Sequence, residues 1–326
     1  MKNSASDLDH RYDIAIIGGG PAGLSAAIWS ARYGHSVAVI DSGDPRSWES
    51  RGINGYLGLP GIRPAELRER GRDELRTYGV TLIDAAVLRI EARDEGLHAP
   101  HPGDEDGEDG EFLVHIEGGA TARARRILLA FGMRDVWPDI PGLEHVYGAN
   151  AHVCPDCDGY DSRGKRVAVI GHGKRAVAMA LALTAWTPQI TICTNGRPHN
   201  IDELELTEKM QTCGIEVRPE SITRVHHSGR MISGLKMEGG ASLDVDKVFF
   251  TIAQFPADDL GAQLGCERDH GGHIVITEHH ATSVRSVFAA GDLTPGAQLA
   301  IRASAGGALA AMAMHRSLLP AHRRLS

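Results

Sequence analysis

The sequence has few cysteines and no excess of positive charge, and each of these features excludes a class of protein. Five cysteines in 326 residues are too few, and odd in number, for the disulfide framework of a small secreted domain. Lys and Arg number 34 against 42 Asp and Glu, a formal net charge of -8. That balance argues against binding nucleic acid or anionic lipid. No apolar run approaches the roughly 18 residues of a membrane span.

The amino-terminal segment does not have the pattern of a signal peptide. Residues 1–12 are polar and acidic, without the basic-then-apolar order of a secretory leader. We therefore expect a cytoplasmic protein with no membrane and no nucleic-acid partner. A composition of 42% apolar and 23% charged residues is ordinary for a globular protein, and the length favours about two domains.

The glycines carry most of the information, beginning near the amino terminus. An apolar run at 13–17 leads into Gly18-Gly-Gly20-Pro21-Ala22-Gly23, an Ala-rich segment at 24–33 and a second apolar run that ends at Asp41. This order predicts strand, turn, helix, strand and acid, the fingerprint of a dinucleotide site. Gly18 permits the turn, Gly20 lets the backbone approach a pyrophosphate, and Gly23 lets the helix pack on the strand. Asp41 would accept the ribose hydroxyls; the alternative is an ordinary glycine-rich turn.

A second unit of the same kind follows in the middle of the chain. Residues 166–170 predict a strand, 171–176 a turn in which Ala176 replaces the third glycine, and 177–185 a helix. Two dinucleotide folds in one chain predict an α/β flavoprotein with a second nucleotide-type domain. Between the two units, residues 94–111 are rich in acid and contain no Lys or Arg, so we predict a hairpin tip or insertion there and assign it no function.

Near the carboxyl end, a buried strand at 287–290 is closed by Gly291 and Asp292, and a long helix is predicted from about 297 to 318. An acid at the carboxyl end of such a strand suits a ribitol hydroxyl. The alternative is that Asp292 serves only as the cap of the helix.

A close cysteine pair lies between the two glycine-rich units, at Cys154 and Cys157. Cysteines three apart can close a disulfide across the first turn of a helix, where the dipole and free N–H groups favour the reactive thiolate. Pro155 suits that first turn. The alternative is a zinc site, but the other cysteines offer no second pair of this spacing, so we expect no metal.

Two polar side chains flank the pair. Asp158 directly follows Cys157 and is a candidate proton relay between thiol and flavin; the alternative is a loop carboxylate that caps the next turn. His152 is two residues before Cys154, on the same side of an extended segment. It is a candidate base for an incoming thiol, and the alternative is an ordinary surface histidine.

With these elements in this order, the chain resembles the low-molecular-weight thioredoxin reductases, from about residue 12 to 320. The resemblance implies a second dinucleotide-binding (Rossmann-like) domain inserted into a split FAD domain, with boundaries 1–135, 136–255 and 256–326, and a homodimer. It makes Cys157 the sulfur nearer the flavin and Cys154 the one that exchanges with substrate. It implies FAD contacts at Gly18, Gly20, Pro21, Ala22, Gly23, Asp41, Asn54, Ala130, Gly132, Gly291, Asp292, Gln298 and Ala300.

The sequence departs from that family in the segment that binds the 2′-phosphate of NADPH. The place of a His and Arg cluster is taken by residues 194–200, Thr-Asn-Gly-Arg-Pro-His-Asn, which predicts weak NADP(H) binding. This pattern resembles a branch of small-molecule dithiol oxidases, which close disulfides in natural products such as gliotoxin, holomycin and romidepsin. The resemblance implies a small-molecule dithiol as substrate, with electrons passing to FAD and then to oxygen or NADP. Two alternatives stay open: an NADPH-dependent thioredoxin reductase, and a flavin-bound redox sensor without turnover.

Overall fold

The computed structural model describes residues 11–44, 46, 50, 52–92, 111–198, 201 and 204–323. The predicted acidic insertion therefore lies outside the described residues, apart from Glu111. Contacts divide the chain into two compact units. The first holds the described parts of Met1–Trp48, Pro64–Arg134 and Gln254–Ser326, and the second those of Glu49–Arg63 and Asp135–Ala253.

Strands and helices alternate through most of the chain. The strands are β1 (Arg11–Ile17), β2 (Val37–Ile40), β3 (Thr81–Ile83), β4 (Val87–Ala92), β5 (Phe112–Ile116), β6 (Thr121–Leu129), β7 (Met133–Val136), β8 (Ala151–His152), β9 (Val167–Ile170), β10 (Ile190–Cys193), β11 (Glu216–Arg218), β12 (Ile222–Ser228), β13 (Met231–Met237), β14 (Ser242–Asp244), β15 (Lys247–Phe250), β16 (Ala253–Pro256) and β17 (Val287–Ala289). The α-helices are α1 (Pro21–Arg32), α2 (Pro64–Thr77), α3 (Leu143–Val146), α4 (Pro155–Asp158), α5 (Gly173–Leu183), α6 (Leu204–Thr212), α7 (Leu260–Gln263) and α8 (Ala300–Leu318). Short 3₁₀ turns cover Gly159–Ser162, Glu238–Gly240, Gly291–Leu293 and Ala321–Arg323.

The first unit is built on a sheet in the order β3-β2-β1-β6-β5-β4, with β17 also paired to β6. Its parallel strands end in register: Ile17 pairs with Ile40 and with Leu129, and Leu129 pairs with Ala289. The residues that follow these four strands therefore meet at one edge of the sheet, which is where open α/β sheets bind ligands.

Helices α1 and α8 cover one face of that sheet, and small residues let them approach. A Cβ at Gly307 would overlap the backbone carbonyl of Ala22, and a Cβ at Gly291 would lie 3.0 Å from the Ala22 side chain. Because no larger side chain fits there, α8 and the turn before it are held against the amino-terminal turn of α1.

The second unit has its own parallel sheet in the order β11-β10-β9-β15-β8, and a separate antiparallel sheet β12-β13-β14. Strands β9 and β15 are buried along their whole length, as expected for parallel strands covered on both faces. With a dinucleotide-type sheet in each unit, the predicted fold class of two Rossmann-like domains is confirmed.

The structure moves several predicted boundaries. Helix α1 begins at Pro21 rather than residue 24, because proline at the first helical position needs no hydrogen-bond partner. Helix α5 begins at Gly173 inside the predicted turn, and α8 begins at Ala300 rather than residue 297. In the described parts of the chain, no helix has both the length and the apolar character to cross a membrane.

One segment is assigned differently from the predicted boundaries. Residues 49–63, which the sequence placed in the FAD domain with the rest of 1–135, are grouped with the second unit. The physical reason is at Asn54, whose amide donates to the Cys157 carbonyl oxygen at 3.1 Å. Sequence position alone gave no sign of this excursion.

Candidate active site and flavin site

The glycine-rich turn after β1 forms the cradle that a dinucleotide needs. Gly18 has φ +108°, and a Cβ there would lie 2.5 Å from the Ala130 carbonyl oxygen. A Cβ at Gly23 would overlap the carbonyl oxygen of Gly18, whereas a Cβ at Gly20 would meet nothing within 4 Å. Two of the glycines are therefore required by packing, and the third leaves open space beside the turn.

The amino terminus of α1 faces that space without a cap from the protein. Gly20 is the N-cap residue, no side chain caps the helix, and its first turn carries no acid. The first N–H groups and the positive end of the helix dipole are thus available to a phosphate. Pro21 and Ala22 form this first turn of the helix, and the arrangement fits a pyrophosphate.

Asp41 lies beside the same turn and is held there by residues that sequence reasoning missed. A Cβ at Gly19 would lie 2.6 Å from the Asp41 carboxylate, so Gly19 makes room for the acid. Arg68 of α2 pairs with the carboxylate, and Arg72 lies 3.7 Å from it. The signal available was the spacing of four between two arginines on a polar helix, but a sequence does not show which acid they meet.

Asp292 lies in the turn between β17 and α8, in the same unit. Its carboxylate accepts from Arg46 at 2.8 Å, and Arg46 also donates to the Gln298 side chain at 2.8 Å. Helix α8 begins only at Ala300, with Leu299 as its N-cap, so the alternative in which Asp292 caps this helix is wrong. Register brings Ala130 and Ala290 to the sheet edge with Gly18 and Asp41. Gly291 comes directly after Ala290, and Gly132, two residues after Ala130, has φ +73°.

The two cysteines of the second unit form a disulfide, Cys154–Cys157. Cys154 is the N-cap residue of α4, and its Sγ accepts a hydrogen bond from the Cys157 N–H at 3.1 Å. That donor would stabilise a thiolate on Cys154 after reduction. Cys193 is fully buried, and burial raises the pKa of its thiol to about 12, so it is a core residue that does not take part in thiol exchange. Within the described ranges, no group of three or more His, Cys, Asp or Glu side chains is placed to hold a metal.

Asp158 is the best-connected group beside the disulfide. Its Oδ1 accepts from the Asn54 amide at 3.3 Å, and its Oδ2 lies 3.3 Å from His152 Nδ1. The Asp158 side chain is 22% exposed and that of His152 only 7%. The resemblance implied Asn54 as a flavin contact. In the structure its side-chain amide donates hydrogen bonds to the cysteine loop.

The burial of His152 bears on its predicted role. Its ring lies 5.5 Å from that of Phe249, and both ring nitrogens have polar neighbours inside the unit. So buried a ring presents little surface to an incoming thiol. The exposed surface position offered as the alternative is wrong, because His152 is buried, and the ring lies beside Asp158 of the reactive loop.

The second glycine-rich turn also leads into an uncapped helix, since His172 precedes α5 without a side-chain hydrogen bond. In the loop after β10, however, polar side chains form hydrogen bonds to the protein's own backbone. Thr194 is buried, and Asn195 accepts from the Ile222 N–H at 2.7 Å. Arg218, at the end of β11, lies 3.5 Å from the Glu220 carboxylate. The loop thus offers a 2′-phosphate the single exposed Arg197 rather than a cluster of cations, and the other positive charge near it is that of His172, Lys174 and Arg175 at the start of α5.

We expect NADPH to reduce the bound flavin poorly. Losing two charge-assisted hydrogen bonds to the 2′-phosphate costs roughly 3–6 kcal/mol, which weakens affinity by about 100-fold or more. Stopped-flow mixing with micromolar NADPH, and with NADH as the matched reductant that lacks the phosphate, checks this. Rapid bleaching of the flavin by NADPH alone would contradict the prediction.

Comparison with known proteins agrees with this geometry. A family model described as pyridine nucleotide-disulphide oxidoreductase matches residues 12–307. The chain belongs to the pyridine nucleotide-disulphide oxidoreductase family. As a member, it is a flavin-dependent disulfide oxidoreductase of the thioredoxin reductase-like kind, with FAD as its cofactor. The open cradle at Gly20 and the uncapped start of α1 fit the FAD pyrophosphate.

Individual relatives of this disulphide oxidoreductase differ in length. Thioredoxin reductase tcpT of Claviceps purpurea is 30% identical over 86% of the chain and 86% of its own length. An NADH dehydrogenase of Bacillus subtilis is 26% identical over 92% of the chain, which spans only 57% of that longer protein. Among solved structures, that of HlmI has a TM-score of 0.87 at 29% identity, covering 96% of this chain and 95% of HlmI.

Proposed function

We propose that this protein is an FAD-dependent dithiol oxidase that closes an intramolecular disulfide in a small natural-product dithiol. The proposal includes a homodimeric, cytoplasmic enzyme. The observation that carries it is the loop after β10, where the side chains of Thr194 and Asn195 hydrogen-bond to backbone groups of the protein. A site built in this way favours electrons that enter from a thiol rather than from NADPH. The resemblance of this loop to that of the small-molecule dithiol oxidases, and the similarity of the whole fold to HlmI, support the same direction.

The chemistry begins with thiol exchange at the disulfide. A substrate thiolate attacks Cys154 Sγ, breaks the Cys154–Cys157 bond and releases the Cys157 thiolate. The second substrate thiolate then attacks the substrate sulfur of this mixed disulfide, which closes the product ring and expels Cys154. The substrate loses two electrons and two protons, and the cysteine pair gains the two electrons.

The protons leave through Asp158. Its carboxylate is partly exposed next to Cys157, and it is fixed from one side by Asn54 and from the other by His152. It can accept a proton from a thiol that approaches the pair, while the Asn54 hydrogen bond and the neighbouring His152 ring keep it oriented. His152 therefore acts behind Asp158 rather than on the substrate itself.

FAD, when bound, would supply a two-electron acceptor for the reduced cysteine pair and a route for those electrons to oxygen. The residues that would hold it are those of the cradle in the first unit. The turn at Gly20 would take the pyrophosphate, Asp41 the ribose and Asp292 the ribitol, with Arg46 fixing the Asp292 carboxylate.

Oxygen uptake is the decisive measurement. With a small dithiol, air and no nicotinamide, we expect one peroxide for every two thiols lost. The matched arm supplies NADPH and thioredoxin in place of the dithiol. No oxygen uptake with any dithiol, together with brisk NADPH-driven reduction of thioredoxin, would overturn the proposal in favour of a reductase. Turnover in neither arm would leave a redox sensor.

A further inference from the structure

A buried lysine lies behind the proton-handling groups of the second unit. Lys247 begins β15 and is only 4% exposed, an uncommon burial for this residue type. Its Nζ lies 3.5 Å from His152 Nε2. Burial lowers the pKa of Lys247 below its ordinary value, an effect that the charges of Asp161 and Asp158 oppose and that of Lys165 reinforces.

Strand register explains how the lysine reaches the histidine. Phe249 of β15 pairs with His152 of β8, and side chains two apart on a strand share one face of the sheet. Lys247 and Phe249 therefore lie on the same face, where the Phe249 ring is 5.5 Å from the imidazole. The lysine, the histidine and Asp158 form a row that ends beside Cys157.

The hydrogen-bonding capacity of each group fixes the protons along this row. An ammonium only donates, so His152 Nε2 has to accept with its lone pair. A neutral imidazole then carries its hydrogen on Nδ1, the nitrogen that lies 3.3 Å from Asp158 Oδ2. A proton added to Nε2 would place a second positive charge against Lys247.

We propose that Lys247 is a positioning residue that holds His152 as the neutral Nδ1–H tautomer, so that Asp158 stays a free base for thiol chemistry. The inference rests on the proposed function. Without Lys247 the imidazole takes up a proton more readily, and an imidazolium binds the Asp158 carboxylate as an ion pair. Such a carboxylate is a weaker base. Asp161 and Lys165 are the other charges that act on Lys247, and Cys157 carries no charge while the disulfide is closed.

A pH profile tests the proposal. The readout is anaerobic flavin reduction by dithiothreitol, followed from about pH 5 to about pH 9. In Lys247→Met the acid limb is expected to move up by about 1 pH unit or more. Compared with wild type at the same pH, which cancels the titration of the dithiol itself, the rate falls about tenfold near pH 6 and is unchanged at alkaline pH. Lys247→Arg restores the limb, and Lys236→Met, a lysine of β13 away from this row, leaves it unchanged. A uniform loss at every pH would show a merely structural role and overturn the proposal.

The tautomer can also be read in the wild-type holoenzyme, which keeps the test valid if Lys247→Met fails to fold. Nitrogen NMR of ¹⁵N-histidine protein, with the His152 signal assigned by its loss in His152→Gln, is expected to show hydrogen on Nδ1 only near pH 7. Hydrogen on Nε2, alone or in an imidazolium, would overturn the proposal. Because this measurement needs no substrate, it stands or falls separately from dithiol oxidase activity.

Discussion

Replacing either Cys154 or Cys157 with serine is expected to abolish oxidation of dithiols, with a loss of about 10⁴-fold or more, the scale reached when a catalytic nucleophile is removed. A serine hydroxyl can neither form the mixed disulfide nor resolve it. The measurement is oxygen uptake at saturating dithiol, on protein whose flavin content equals that of the wild type.

The matched control for this loss is Cys213→Ser. Cys213 is a partly buried free cysteine that follows α6 in the same unit, and its replacement is expected to leave the rate unchanged. If Cys154→Ser or Cys157→Ser kept a rate near that of the wild type, the disulfide would be a structural crosslink rather than a redox centre.

Gly20→Val is expected to lose FAD while the protein stays folded. A Cβ at Gly20 would meet no protein atom within 4 Å, so the larger side chain costs the apoprotein little packing. It would occupy the space that the pyrophosphate needs. Losing two phosphate hydrogen bonds costs roughly 3–6 kcal/mol, which weakens FAD binding by about 10²–10⁴-fold.

Flavin absorbance after dialysis and reconstitution measures the loss, and thermal unfolding of the two apoproteins is the control. Gly20→Ala is expected to fall between wild type and Gly20→Val, because its methyl group fills less of the same space. Gly23→Ala is a poor substitute, since its Cβ would overlap the Gly18 carbonyl oxygen and damage the fold itself. Full FAD content in Gly20→Val would contradict the assignment of the cradle.

The sequence was most informative where structure is determined by neighbours along the chain. The turn at Gly18–Gly23, the strand before it and the helix after it follow from local backbone rules, and so does the helical turn that begins at Pro155. The disulfide between Cys154 and Cys157 could be anticipated for the same reason, because a spacing of three suits one helical turn.

The contacts that the sequence did not reveal join residues far apart in the chain. Arg46 meets Asp292 across 246 positions, and Lys247 meets His152 across 95. Long polar side chains such as these are compatible with solvent as well as with a partner. Which acid or imidazole they meet depends on the strand order of each sheet. The local sequence pattern does not determine that order.

Because the described residues of 49–63 belong to the second unit, that unit cannot be expressed as one continuous fragment. A fragment that spans only residues 135–253 would hold both cysteines, Asp158, His152 and Lys247, and would look self-sufficient on a domain map. It would nevertheless lack Asn54, the donor to the Cys157 carbonyl and to the Asp158 carboxylate. The reactive loop is therefore a discontinuous module, and a chimaera or circular permutant that keeps it intact has to carry both stretches of chain.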